Sequence, residues 1–282
     1  MTVLPKYRLT RDDRSMTEKH TVLWVSAHPE PQSLTHQLRR DGIAHLRAQD
    51  HKVLESDLYA MGWDPVLRSS DAHLSEGQRF RVSANVRQAY LEDALPPELR
   101  TEHEKILQAE TIVIQFPLWW YGMPAILKGW FDRLFVSGFA FGKDPDTGKR
   151  LRYEKGPFSD KRALVLTTLG DRPASIGPRG KSGEITELLH GVLHGTFAYT
   201  GMNVLTPWAL PSADFTEDYD QVRQNLLTKL DQLPTEPPIP YRPQFTGQYT
   251  DEWELVPDIA PGKSGLSIHI DNTDPSSAVR GG

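Results

Sequence analysis

Two loops hold the residues whose types and spacing suit chemistry. The first, Ala27-His28-Pro29-Glu30-Pro31-Gln32-Ser33-Leu34-Thr35, joins an apolar run to a helical pattern. The first N–H groups of a helix lack intrahelical acceptors, and the helix dipole favours negative charge there. Such a loop can hold an anion such as a phosphate, with His28, Ser33 and Thr35 adding side-chain donors. The competing account is that Ser33 only caps the helix, a position serine favours. Neither a glycine-rich dinucleotide fingerprint nor a Walker motif is present. The second loop, Phe116-Pro117-Leu118-Trp119-Trp120-Tyr121-Gly122-Met123-Pro124, carries three aromatics in succession. Three such neighbours cannot all face one core. Pro117, Gly122 and Pro124 hold the backbone in a fixed turn, which offers backbone groups and a flat wall to a planar heterocycle. Taken alone, the loop reads as an ordinary aromatic corner.

The elements around these loops must position them. Nearly continuous apolar runs at 21–27, 111–116 and 162–168 read as strands covered on both faces. Further strands are expected at 52–56 and 203–207. Helical patterns fall at 33–49, 98–108, 124–135, 185–199 and 217–233, the last with Val222, Leu226, Leu227, Leu230 and Leu233 at helical spacing. The alternation predicts an α/β protein with an open, parallel, doubly wound sheet. In the flavodoxin-like strand order 2-1-3-4-5, strands one and three are neighbours, and ligands bind at their carboxyl ends. Both loops lie there, and a third turn, Thr167-Thr168-Leu169-Gly170, follows the next strand over. An anion loop flanked by an aromatic wall and a hydroxyl/glycine turn suits a flavin, with phosphate at one loop and the ring against the others.

Composition narrows the alternatives. The 282 residues allow one large domain or two small ones. With 32 Lys and Arg against 37 Asp and Glu, a net charge of −5, the chain lacks the basic field that nucleic-acid binding needs. The absence of cysteine excludes disulfides, thiolate nucleophiles and cysteine-ligated metals. No apolar run approaches the roughly 20 residues that cross a bilayer, so no stable membrane insertion is expected. Residues 1–20 lack the apolar stretch of a signal peptide and read as a polar tail, with Met1 or Met16 as the start. The expected location is the cytoplasm. Residues 21–234 read as the flavin-binding domain, with an irregular, partly helical excursion at 57–97 closed by Pro96-Pro97. Residues 235–282 read as an extended arm opened by PTEPPIPYRP, five prolines in ten residues. Tyr241, Phe245, Tyr249, Trp253 and Leu255 would pack the arm down, and a disordered PSSAVRGG would end it.

The stretch FPLWWYGMPAILKGWFDRLFVSGFAF (116–141) closely resembles the core signature of the NAD(P)H:quinone oxidoreductase family, the DT-diaphorase-like enzymes of flavodoxin-like fold. Similarity continues through ESDLYAM (55–61), YEKGPF (153–158), the TT-x-G turn (167–170) and HGTFAYTGMNVL (194–205). GKSGLSIHI (262–270) resembles the long form of that family, so the resemblance spans about 21–270. It implies a homodimer with one flavin per subunit and active sites at the subunit interface. It puts His28, Ser33, Leu34 and Thr35 on the phosphates, and Pro117, Leu118, Trp119, Trp120, Thr167, Thr168, Leu169 and Gly170 around the isoalloxazine. Asp132 would reach the partner's cofactor, and substrate would lie between Trp120 and the partner's Phe141 and Tyr199. The long form implies FAD. FMN stays open, because the arginine that approaches the adenine in the long form is replaced near Tyr219. NAD(P)H would pass a hydride to the flavin, and a quinone-like acceptor would then take it.

One departure stands out. The family's Tyr and His after the TT-x-G turn are replaced here by Ile176 and Ser182 within DRPASIGPRGKSGEI (171–185). A cation at Lys181 or Arg179 can do similar electrostatic work; the simpler account is two solvated loop charges. This departure keeps alternatives in view: a flavin reductase for azo, nitro or biosynthetic-pathway acceptors, a flavin-binding ancillary subunit of a transporter, or a flavodoxin-type electron carrier. His190 and His194 share a metal-binding spacing but lack a third ligand, and Gly191 and Gly195 point to close helix packing. The polar stretch 138–156 reads as a solvated loop or a gate beside Phe139 and Phe141.

Overall fold

A computed structural model of the chain describes residues 19–144 and 147–271. Most of the polar tail, the choice between Met1 and Met16, and the terminal PSSAVRGG lie outside the described residues.

The chain begins β1 (Thr21–Ser26), α1 (Leu34–Ala48), β2 (Lys52–Asp57), α2 (Val82–Leu91), α3 (Pro97–Gln108), β3 (Thr111–Pro117) and α4 (Ala125–Leu134). It continues with a short hairpin of β4 (Gly142–Lys143) and β5 (Arg150–Leu151), then β6 (Arg162–Thr168), α5 (Ile185–Leu188) and α6 (His190–Val192). Strands β7 (Asn203–Val204) and β8 (Trp208–Leu210) precede α7 (Tyr219–Asp231). The main sheet is parallel, in the order β2-β1-β3-β6-β7, with β8 also along β6.

This is the flavodoxin-like order expected from the sequence, with its fifth strand split in two. Leu205 N still donates to Ala163 O, and pairing resumes at Trp208 opposite Leu166. Pro207, between them, has no N–H to donate. Side chains of the central strands alternate between faces, and each face is covered, so both sets are apolar. Leu23, Val25, Ile112, Ile114 and Val165 belong to one core with residues of α3 and α4. Val22, Trp24, Val113, Leu164 and Leu166 pack in a second core with residues of α1 and α7.

The excursion at 57–97 contains α2 and a 3-10 turn at Ser69–Ala72. Gly129 lets α4 lie against this excursion: a Cβ there would come 2.1 Å from the Pro65 carbonyl oxygen. Arg133 on α4 ties the same parts together through Asp71, Glu98 and the Asp64 carbonyl.

The helix expected over 185–199 is instead broken. After α5 and α6 it runs through a π turn at Leu193–Phe197 and a 3-10 turn at Ala198–Thr200. Gly191 and Gly195 weaken the helical preference of this segment. The arm packs back on the domain, with Ile239 N donating to Val204 O and the Gln244 and Phe245 amides donating to Glu154. Among the described residues no helix is long and apolar enough to cross a membrane.

Candidate functional site

Register decides what meets at the carboxyl edge of the sheet. Ser26 pairs with Gln115, and Pro117 with Thr168, so β1, β3 and β6 finish close together. Ala27 N donates to Gln115 O at 3.0 Å, and Leu118 N to Thr168 O at 2.8 Å. Buried Thr35 and Thr168 share a hydroxyl hydrogen bond of 2.9 Å. The Gln115 amide bridges elements, accepting from Trp24 Nε1 and donating to Thr35 O. Thr167 Oγ1 donates to Phe116 O. The His28 ring lies 6.3 Å from that of Trp119. The three loops therefore meet at one edge of the sheet.

The first loop presents donors. Ser33 does cap α1, its Oγ accepting from His36 N at 3.2 Å, and a hydroxyl that accepts keeps its own proton to donate. The Leu34 and Thr35 amides have no acceptor among the described residues. His28 Nδ1 accepts from Glu30 N at 3.1 Å, which leaves the proton on Nε2. Burial pushes the His28 pKa below its usual value, so the ring is a neutral donor at pH 7. His36 is buried and donates from Nε2 to the His28 carbonyl.

The aromatic loop is strained. Trp119 and Gly122 exchange both backbone hydrogen bonds, while Trp120 and Tyr121 hold φ of +52° and +56°. Positive φ at both central residues defines a type I′ turn, normally built from Asn and Gly. For two aromatics this conformation costs on the order of 1 kcal/mol each, the kind of strain that collects at functional sites. Trp120 is 100% exposed. The Tyr121 hydroxyl donates to Asp171 at 2.8 Å, with Ser182 Oγ 3.0 Å away. Those hydrogen bonds hold the Asp171 carboxyl below its ordinary pKa.

Trp120→Asn is expected to leave the thermal midpoint unchanged or higher, because asparagine tolerates this conformation. Acceptor turnover should fall about tenfold, the equivalent of one aromatic stacking contact. A lower midpoint with full turnover would make Trp120 a structural residue.

The remaining candidates divide between the cleft and a neighbouring groove. Pro117, Leu118, Thr167 and Leu169 are buried, so they can offer the cleft backbone atoms more readily than side chains. A Cβ on Gly170 would meet open space. Tyr121, Phe131, Asp132, Phe141 and Tyr199 line a groove of about 650 Å³, in which the Phe141 and Tyr199 rings lie 5.9 Å apart. Asp132 pairs with Lys128 at 2.5 Å. Within one subunit Trp120 does not line this groove.

Gly191 and Gly195 correct an expectation. Neither would bring a Cβ within 4 Å of another atom, so they line the groove rather than pack a helix closely. His190 and His194 stack at 4.8 Å, and His269 of the arm lies 6.2 Å from His194. Among the described residues no three such side chains converge as metal ligands.

Residues 20–233 match the model of a family described as having a flavodoxin-like fold. A ribosyldihydronicotinamide dehydrogenase-like protein of Penicillium crustosum is 37% identical over 91% of this chain and 99% of that protein. NAD(P)H dehydrogenase (quinone) 1 of Cavia porcellus is 30% identical over 90% of this chain and 94% of its own length. The crystal structure of a Klebsiella pneumoniae chain assigned as a quinone reductase superposes with a TM-score of 0.84, at 38% identity, over 89% of this chain and all of that one. The chain belongs to the NAD(P)H:quinone oxidoreductase family, of flavodoxin-like fold.

In this oxidoreductase the departures after the TT-x-G turn have structural roles. Ile176 is buried in the core, and Ser182 holds Tyr121. Lys181 is exposed, and its charge acts on Asp171. A flavin suits the cleft's chemistry. Free amides at Leu34 and Thr35, the His28 Nε2–H and the Ser33 hydroxyl are all donors, as a phosphate requires. Ser26 Oγ, buried at the same strand end, has no hydrogen-bond partner among the described residues. The sequence reading missed Gln115 and Asp171, and placed Tyr121 only in the aromatic wall. A signal existed in a buried-strand glutamine beside the first loop, and in a tyrosine caught in a turn.

Proposed function

We propose that this protein is a flavin-dependent NAD(P)H:quinone-type oxidoreductase that holds FAD in this cleft and works as a homodimer. The observation that carries the reading is the meeting of three loops at the carboxyl edge of the sheet, with donors at the start of α1 and a strained aromatic turn beside them. His28, Ser33, Leu34 and Thr35 hold the phosphates. Pro117, Leu118, Trp119, Trp120, Thr167, Thr168, Leu169 and Gly170 surround the ring. The bound flavin supplies the hydride chemistry, taking a hydride from NAD(P)H and giving it to the acceptor, while the protein supplies orientation and electrostatics.

The Thr35–Thr168 hydrogen bond locks the first and third loops together, and the Tyr121–Asp171–Ser182 contacts pin the aromatic turn. FAD is favoured over FMN because GKSGLSIHI (262–270) resembles the long form of the family, which implies FAD. The dimer is supported by the fully exposed Trp120, which stands apart from the Phe141–Tyr199 pair of its own subunit. A second copy would bring Trp120 against the partner's Phe141 and Tyr199, and Asp132 toward the partner's cofactor. Lys181 would supply positive charge beside a bound flavin in place of the missing Tyr and His. A cytoplasmic location completes the reading.

The purified protein is expected to be yellow, to release FAD on denaturation, and to oxidise NADH or NADPH when given a neutral naphthoquinone. A colourless protein that neither FAD nor FMN reconstitutes would overturn the proposal. Lys181→Ala should slow flavin reduction several-fold in stopped-flow experiments without changing the KM for the nucleotide. An unchanged rate makes Lys181 a solvated charge.

A further inference from the structure

The Phe141–Tyr199 pair also forms the apolar wall of a second pocket, of about 500 Å³, and the rest of that pocket is positively charged. Arg87 of α2, Lys143 of β4, Arg150 of β5 and Arg152 just beyond it all line it, and among the described residues no carboxylate does. None of the four cations has an ion-pair partner among the described residues. In a chain of net charge −5, such a cluster runs against the overall balance.

Three features show that this charge is held together at a cost. Lys143 and Arg150 are directly opposite one another in the β4–β5 hairpin, an arrangement of like charges that weakens a strand pair. Arg152 keeps Nε and Nη2 buried without a hydrogen-bond partner among the described residues, and buried guanidinium donors are nearly always paired. Trp253 of the arm, itself at a φ of +70°, stacks under Arg152 at 3.9 Å and near Arg150 at 5.4 Å. Stacking of this kind orients a guanidinium plane and leaves its edge free to bind. One anionic group in the pocket would relieve the repulsion, and a rotation of the Arg152 guanidinium toward it would pair the buried Nε and Nη2.

We propose that this pocket is an anion subsite of the substrate slot, which takes the phosphate, sulfonate or carboxylate group of a molecule whose ring lies against Phe141 and Tyr199. The inference rests on the reading of those two aromatics as slot residues. The anionic group has two possible sources, the phosphate that distinguishes NADPH from NADH and an acidic substituent on the acceptor.

The test compares the flavin-loaded wild type with Lys143→Gln/Arg150→Gln, two exposed positions, and separately with Arg152→Gln. KM is measured for NADPH against NADH with a neutral naphthoquinone, and for a sulfonated against a neutral naphthoquinone with NADH. Calorimetry follows binding of NADP+ and of the sulfonated quinone at low and high salt. The wild type should prefer at least one anionic probe about tenfold, and both salt and the double substitution should remove that preference. Neutral-quinone turnover with NADH should persist in the double variant.

A preference confined to NADPH makes the nucleotide phosphate the ligand, and one confined to the sulfonate makes it the acceptor. The double variant without ligand should also show a thermal midpoint no lower than wild type, because a like-charge pair is gone. Equal affinity for charged and neutral probes, with turnover intact, overturns the subsite while leaving the proposed function standing. Loss of all turnover with every acceptor sinks the proposed function instead, and the calorimetry still decides the subsite. If Arg152→Gln does not fold, the exposed double variant decides.

Discussion

Arg133→Met is expected to remove about 3–5 kcal/mol of folding stability, as breaking one side of a buried ion pair commonly does. The Arg133 side chain is 5% exposed. It donates to both oxygens of buried Asp71 at 2.9 and 3.0 Å, to Glu98 at 3.0 Å and to the Asp64 carbonyl at 2.9 Å. Its guanidinium also lies 5.1 Å from the ring centre of Trp63. Methionine keeps much of the apolar volume but leaves the Asp71 carboxylate buried and unpaired, and that is where the destabilisation comes from. The double change Arg133→Met/Asp71→Leu should regain most of the loss, because a well-packed apolar pair often matches a buried ionic one. Urea midpoints of the three proteins make the comparison. A single variant within 1 kcal/mol of wild type would show that the pair contributes little. Function should fall along with stability, since α4 carries Asp132 and Phe131 on the groove.

The second large effect is a loss of stability in acid. His103 on α3 is buried, donates from Nε2 to Leu134 O at 2.8 Å, and stacks on Phe139 at 3.7 Å. Burial pushes its pKa down to about 4. Between that value and the ordinary one of about 6.5, the unfolded chain binds a proton that the folded chain refuses, so stability rises with pH across this window. The contribution is complete above about pH 6.5, fades as the pH falls toward 4, and levels off below. A shift of this size corresponds to roughly 3 kcal/mol.

His194, pushed to about 4 by burial and by His190 and His269, should add to the loss over the same range. The depressed carboxyls of Asp64, Asp171 and Asp231 act at lower pH, below the usual carboxylate value. Urea unfolding at pH 7.0 and 4.5 measures the drop. His103→Gln, which can still donate to Leu134 O but cannot take up a proton, should lower it visibly. An unchanged pH slope in that variant would assign the effect elsewhere.

Much of the architecture was legible from local pattern. Strands that are covered on both faces must be apolar at nearly every position, so β1, β3 and β6 stand out as runs of Val, Ile and Leu. The parallel α/β arrangement admits more than one strand order, and the resemblance of 116–141 to a family of flavodoxin-like fold selected 2-1-3-4-5. That order put the loops after β1, β3 and β6 side by side before any distance was known. Pro207 was visible, but its splitting of the last strand was not, because pairing depends on which neighbour needs that N–H.

The sequence by itself determined most of the elements and, through its family resemblance, the order of the sheet and which three loops would meet. Tertiary structure alone decided how those loops meet: that Trp120 and Tyr121 take a left-handed turn, and that Ser182 holds Tyr121. It also brought His269 to His194 and gathered Arg87, Lys143, Arg150 and Arg152 around one pocket. Apolar periodicity is a local property that burial imposes residue by residue. Strain, shifted pKa values and clustered charge arise between residues distant in the chain, and no spacing along it records them.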